Sequence, residues 1–190
     1  VVPDWINTIK NDQAEMQDLL IDWAQINSYS YNTQGLRKIL TAFKEKFIQA
    51  LPGDYAIQEL ELAPEQALDS GANTIMRQLG SCLKISKKSI NPSACNLLLM
   101  GHLDTVYPPE LGFNSCTLLE GDILNGPGVA DLKGGLIIML KALEYFEKFS
   151  EYRGKLNWQI FLNPDEEIGS PSSSVFFPEL ASKNNYALIF

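Results

Sequence analysis

The sequence predicts an α/β protein, a three-layer α/β/α sandwich around a mixed, largely parallel sheet. Three observations point there. Asn96 to Met100 is a short apolar run closed by Gly101, as expected of a strand buried on both faces of a sheet. Two amphipathic helices precede it and read as cover for that sheet. A third amphipathic helix follows and leads into an alternating strand, Leu156 to Leu162. A chain of 190 residues fits a single domain with enough length to bury a substantial core.

Taken in order, Met16, Leu19, Leu20, Trp23 and Ala24 repeat at helical spacing and predict a helix from Asp12 to Ile26. A polar break, Asn27 to Thr33, separates it from a second helix carrying Leu36, Ile39, Leu40, Phe43 and Phe47. Leu51-Pro52-Gly53 is its stop signal. Tyr55 to Leu62 and Leu79 to Ser86 read as strands of mixed polarity, joined by a loop containing Pro64 and Asp69-Ser70-Gly71. Lys87 to Ser93 turns into the central strand. After Tyr107-Pro108-Pro109, Glu120-Gly121-Asp122 predicts the turn of a small hairpin. Leu136, Met139, Leu140, Leu143 and Phe146 mark the core face of the third helix, and Tyr186 to Phe190 reads as a final core strand. There are no internal repeats or low-complexity tracts.

Composition removes several function classes. The formal charge is −8, which argues against a nucleic-acid partner, since phosphate binding needs clustered Lys and Arg and the one basic pair is Lys87-Lys88. No apolar run reaches the length of a spanning helix, so no membrane role is expected. Val1 to Trp5 lacks the charged start and apolar core of a signal peptide. Cytoplasmic residence is the expectation, with a periplasmic or secreted location only if a leader was removed before Val1. Cys82, Cys95 and Cys116 are odd in number and lack Cys-x-x-Cys spacing, so reduced, mostly buried thiols are expected.

Chemistry is concentrated in three blocks. The first is Gly101-His102-Leu103-Asp104-Thr105-Val106, which carries the only histidine of the sequence at the C-terminal end of a strand, where open α/β sheets place ligands. His102 and Asp104 share a face if the extended conformation continues. A metal-ligating imidazole commonly donates its other N–H to a carboxylate; a satisfied loop histidine is the plainer reading of this block alone. The second is Asn125 to Gly135, where four glycines surround Asp131. A phosphate cradle fits poorly, because Lys133 precedes the glycine pair, whereas a Walker loop needs Gly-Lys-Ser/Thr. Asp131 would also compete with phosphate for the positive helix end. A cation fits better, and a glycine-rich turn with a capping Asp is the structural alternative. The third is Asp165-Glu166-Glu167, just after Asn163-Pro164. Adjacent carboxylates repel unless protonated or bridged by a cation, and a solvated acidic loop is the alternative for this block by itself. Convergence changes the balance: a His/Asp pair, a glycine-flanked Asp and a Glu pair each stand where a strand meets a loop or helix.

These blocks, with Gly126-Pro127-Gly128-Val129-Ala130-Asp131-Leu132-Lys133-Gly134-Gly135 and Asp165-Glu166-Glu167-Ile168-Gly169-Ser170 in full, resemble the co-catalytic zinc peptidase family. That family comprises glutamate carboxypeptidases, aminoacylases, acetylornithine deacetylases and succinyl-diaminopimelate desuccinylases. Order and spacing match, the two early helices fit as well, and Gly-Pro-Gly-Val-Ala-Asp looks closest to the glutamate carboxypeptidase branch. The resemblance implies that His102 ligates one zinc ion, Asp131 bridges two, Glu167 ligates the site, Asp104 orients His102, and Glu166 is the general base. It implies Zn2+ as cofactor, two per complete site, with Co2+ or Mn2+ acceptable to the same ligands. It implies small peptides or N-acyl amino acids as substrates and a homodimer for the full-length protein. It also makes Asp131-Leu132 a candidate cis peptide.

The family pattern departs from this chain in one respect. A further acidic ligand after the next strand, and a distal His beyond an inserted lid or dimerisation domain, have no counterpart in residues 1–190. The expectation is therefore a truncated zinc-peptidase-like fold, the N-terminal part of a metallopeptidase catalytic domain. As supplied it should have little or no activity and an exposed apolar sheet edge. Two functional readings follow: a di-zinc amidohydrolase, or a non-catalytic metal-binding or regulatory module of the same architecture. Glu166 separates them, because storing metal needs no carboxylate outside the ligand set.

Overall fold

The structure is a computed structural model that describes residues 7–190; Val1 to Trp5, read above for a signal sequence, lie outside the described residues. A short 3-10 turn, Ile9–Asp12, leads into α1 (Gln13–Ala24), and α2 spans Thr33–Ala50. The second helix begins where the Asn32 side chain accepts a hydrogen bond from the Gly35 amide, satisfying one of the free N–H groups of its first turn. It ends at Ala50 and is capped by Leu51, the first residue of the expected Leu51-Pro52-Gly53 stop.

Five strands form the main sheet: β1 (Ala56–Leu60), β4 (Cys82–Lys87), β5 (Cys95–His102), β8 (Leu156–Asn163) and β9 (Tyr186–Ile189), in the order β1-β4-β8-β5-β9. β1 pairs antiparallel with β4, and β4 antiparallel with β8, whereas β5 lies parallel to both β8 and β9. The sheet is thus mixed, with β4 alone reversed against the other four strands. The stretch expected to be a loop around Asp69 is instead a hairpin, β2 (Glu65–Leu68) against β3 (Thr74–Arg77). The Asp69 Oδ1 accepts from the amides of Gly71 and Asn73 and closes its turn. The second hairpin, β6 (Thr117–Leu119) and β7 (Ile123–Asn125), turns at the expected Glu120-Gly121-Asp122.

Alternation within the strands divides the core in two. Leu83, Ile85, Leu99, Trp158, Ile160 and Leu162 face α1, α2 and the helix α3 (Lys133–Phe149), packing on Trp23, Phe43, Phe47, Leu136 and Leu140. On the opposite face Cys82, Leu98 and Phe161 meet Leu180 of the short helix α4 (Phe177–Lys183) and Phe176 before it. Three layers result, thick on the α1–α3 side and thin on the other. β9 departs from the expected core strand: it lies at the sheet edge, with Tyr186, Leu188 and Ile189 exposed. The thiols also differ from expectation. All three are free, but only Cys82 is buried; Cys95 is exposed and Cys116 half-buried.

Candidate metal centre

β5 and β8 run side by side and end in register, His102 opposite Asn163. Both chains leave the sheet there. Gly101 permits the approach of α3, because a Cβ at this position would lie 2.9 Å from Leu132 Cδ2 and 3.0 Å from Leu136 Cδ2. Beyond β8 the chain forms a 3-10 turn, Glu166–Ile168, that ends at Gly169 with φ of 87°. The acidic triplet is resolved by this turn. Asp165 is fully buried and points inward, its Oδ2 accepting from the amides of Ser172 and Ser173 and its Oδ1 from Asn163 Nδ2. Glu166 and Glu167 remain at the strand ends.

The glycine-rich block supplies the third arm. Gly128 adopts φ of 74°, a conformation L side chains rarely take, and its carbonyl accepts from the Lys133 amide at 2.8 Å. The Asp131-Leu132 peptide is cis. Asp131 stands just before α3 with its side chain 73% exposed, and its Oδ1 lies 2.8 Å from His102 Nε2. Glu166 Oε2 is 3.8 Å from the same nitrogen. One ligand atom from each of His102, Asp131 and Glu167 falls within 4.8 Å of the others. The structure therefore brings His102, Asp104, Asp131, Glu166 and Glu167 to one rim.

Asp104 is arranged differently from the simple picture of a carboxylate on an imidazole. His102 Nδ1 sits 3.1 Å from the backbone carbonyl of Asp104 and 3.4 Å from its Oδ1. The carboxylate, 1% exposed, accepts from the amide of Glu166 at Oδ1 and from the amide of Glu167 and the Ser30 hydroxyl at Oδ2. It couples the histidine strand to the glutamate turn. Ser30 belongs to the loop between α1 and α2 and was not singled out by the sequence; a lone serine in a polar break carries no spacing signal. Lys133, read there only against phosphate binding, is also buried, and its Nζ donates to the Ile26 carbonyl at 2.7 Å. Burial pushes its pKa down to about 8.

Electrostatics favour a cation at this rim. Burial opposes protonation of His102, yet Asp104, Asp131 and Glu166 outweigh it and push its pKa up to about 9. Glu167 is raised by burial and by the neighbouring carboxylates, with His102 acting the other way. A negative potential that draws a proton to an imidazole draws a divalent cation for the same reason. One imidazole nitrogen and two carboxylates form a donor set that suits zinc or a similar transition ion, so the residues fit a metal. The rim is open to solvent at Asp131 and Glu166, whose side chains are more than half exposed.

The domain is thus a mixed sheet flanked by helices, with an imidazole and carboxylates gathered at the ends of neighbouring strands. Residues 98–189 match the sequence model of Peptidase family M20/M25/M40. This is the family expected from the three motifs. Carboxypeptidase G2 of Pseudomonas sp. (strain RS-16) is 38% identical over 95 residues, covering 50% of this chain and 23% of that protein. Succinyl-diaminopimelate desuccinylase 2 of Shewanella loihica is 36% identical over 85 residues, covering 42% of this chain and 22% of that protein. The fold is shared with human carnosine dipeptidase 1, with a TM-score of 0.74 at 20% identity over 96% of this chain and 39% of that one. It is also shared with the M20 family metallo-carboxypeptidase Sso-CP2 of Sulfolobus solfataricus, with a TM-score of 0.66 at 18% identity over 92% and 37%. The matched stretches thus cover under a quarter of the length of each of these curated relatives.

Proposed function

We propose that the protein is a zinc-dependent hydrolase of amide or peptide bonds in small substrates, a carboxypeptidase or N-acyl-amino-acid deacylase. The observation that carries this reading is the meeting of His102, Asp131 and Glu167 within 4.8 Å, with Glu166 beside them. His102, Asp131 and Glu167 would hold the metal, Asp131 as the bridge between two ions of a complete site. Bound there, zinc would supply the Lewis acidity that activates water and polarises the scissile carbonyl. Glu166 takes a proton from the attacking water and passes it to the leaving nitrogen. Its side chain, 53% exposed and 3.8 Å from His102 Nε2, reaches the rim from outside the proposed ligand set. Asp104 holds the ring and the glutamate turn in register.

Residues 1–190 are, in this proposal, the N-terminal part of a catalytic domain completed by further ligands, a lid and a dimerisation domain. The lengths of the relatives support that placement. On their own these residues hold zinc weakly and turn over little substrate. Stoichiometric tight binding of two zinc ions by this chain would contradict that statement. The experiment on the activity itself is Glu166→Gln in the complete protein, assayed on N-acyl glutamates, N-acetyl-ornithine and dipeptides. Loss of a general base lowers turnover by roughly 10^2–10^4-fold with metal content retained. Near-wild-type turnover removes Glu166 from its role, and an absence of hydrolysis across the whole panel favours a non-catalytic metal-binding module.

A further inference from the structure

The loop between α1 and α2 touches the site at several points. Ser28 O accepts from the Thr105 amide at 3.0 Å, and Tyr29 and Thr105 form an isolated parallel bridge. Asn27 Nδ2 donates to the Tyr107 carbonyl, and Ile26 O receives the Lys133 ammonium. This seating brings Ser30, fully buried, to within 2.8 Å of Asp104 Oδ2.

A buried carboxylate is stable only if its oxygens are paired. Asp104 has three donors: the amides of Glu166 and Glu167, each at 3.1 Å, and the Ser30 hydroxyl. The two amides belong to the turn whose position has to be set, so they cannot also be the reference that sets it. The hydroxyl comes from an independent, buried segment. It shares Oδ2 with the Glu167 amide, and so it fixes the rotation of the carboxylate about its Cβ–Cγ bond. That rotation decides whether Oδ1 and Oδ2 can each meet one of two consecutive amides.

We propose that Ser30 is a positioning residue of the metal centre. Acting through Asp104, its hydroxyl sets the Glu166-Glu167 turn, and with it the separation of the proposed base and the proposed ligand from His102. The inference rests on the reading of that turn given above, but the amide-exchange arm of its test requires neither metal nor turnover.

The test is native-state amide exchange of the full chain with Ser30→Ala, comparing Glu166 and Glu167 with Leu140 in the core of α3. Exchange at both glutamate amides is expected to rise by at least ~10-fold while Leu140 is unchanged, and Zn2+ affinity is expected to fall by ~10-fold or more, as for other partners behind a ligand. Ser30→Thr, which keeps the hydroxyl, should restore protection. Uniform acceleration at all three amides would show a merely structural role and overturn the proposal, as would unchanged exchange at Glu166 and Glu167. Should Ser30→Ala fail to fold, Ser30→Cys, a poor donor of similar size, decides by the same comparison. If the amides respond as expected but the complete protein binds no zinc with or without the substitution, the positioning role stands and the hydrolase reading fails.

Discussion

His102 Nε2 and Asp131 Oδ1 stand 2.8 Å apart although the two residues are 29 positions apart in the chain. The contact joins the end of β5 to the threshold of α3, and it identifies which face of the imidazole addresses the rim. Nδ1 is turned to the Asp104 carbonyl, leaving Nε2 to face Asp131. Replacing His102 with Ala should lower the affinity of the chain for Zn2+ or Co2+ by more than the ~10–100-fold typical of losing an outer partner. Isothermal calorimetry at pH 7.5 checks it, and unchanged affinity would place the metal elsewhere.

Asp104→Asn tests the carboxylate that spans the two glutamate amides. A carboxamide has one acceptor oxygen, so at least one buried N–H or the Ser30 hydroxyl loses its partner. Stability measured by urea denaturation should fall by about 1–3 kcal/mol, and metal affinity should fall with it. A variant as stable as the parent would mean that water replaces the lost contact.

The close passage of α3 over β5 depends on Gly101. A methyl group there meets Leu132 and Leu136, and overpacking of this kind costs about 1–3 kcal/mol. Because Leu132 follows Asp131, Gly101→Ala should also weaken metal binding. Gly154→Ala, where a Cβ meets nothing within 4 Å, is the control and should shift stability by no more than ~0.5 kcal/mol. Thermal melts of the two variants decide the point.

Acid sensitivity should have a component far from the site. Glu15 of α1 bonds Lys46 of α2 and Lys141 of α3, which hold its carboxyl at about 2, below its ordinary value of 4.5. A folded-state pKa below the unfolded one adds stability above the unfolded value, and that stability is lost as pH falls from 4.5 toward 2. The side chain is 49% exposed, so solvent screening keeps the effect below ~1 kcal/mol. Denaturation of Glu15→Gln against the parent should show a small deficit at pH 6 that has vanished near pH 2.

Much of the architecture was legible because burial imposes period. α1, α2 and α3 each present one apolar stripe, and β5 and β8 are apolar or alternating over their length, so helices and central strands were found close to their bounds. The β2-β3 hairpin was missed for the complementary reason. Glu65-Gln66-Ala67-Leu68 has weak strand propensity and no buried face, and only its pairing with Thr74–Arg77 makes it a strand. β9 was legible in part: Tyr-Ala-Leu-Ile reads as core by composition, and its exposure is the apolar sheet edge that was expected. At the site, the residues with chemical signatures, an only histidine, a glycine-ringed Asp and a Glu pair, stood out in the chain and meet in space. Ser30 and the inward turn of Asp165 have no such signature: Ser30 is set by its hydrogen bond to the Asp104 carboxylate far along the chain, and Asp165 by the amides of Ser172 and Ser173.

The placement of β8 between β4 and β5 carries a consequence for biosynthesis. The ribosome delivers the imidazole-bearing strand early, but its neighbour emerges only after a hairpin and a long helix have followed. Long-range pairing of that sort forms slowly, so a nascent chain has nowhere to lodge an ion until the late strand has threaded into its slot. A metal held as proposed by His102, Asp131 and Glu167 would then enter after β8 has paired, and chains stripped of those side chains should still reach the same scaffold.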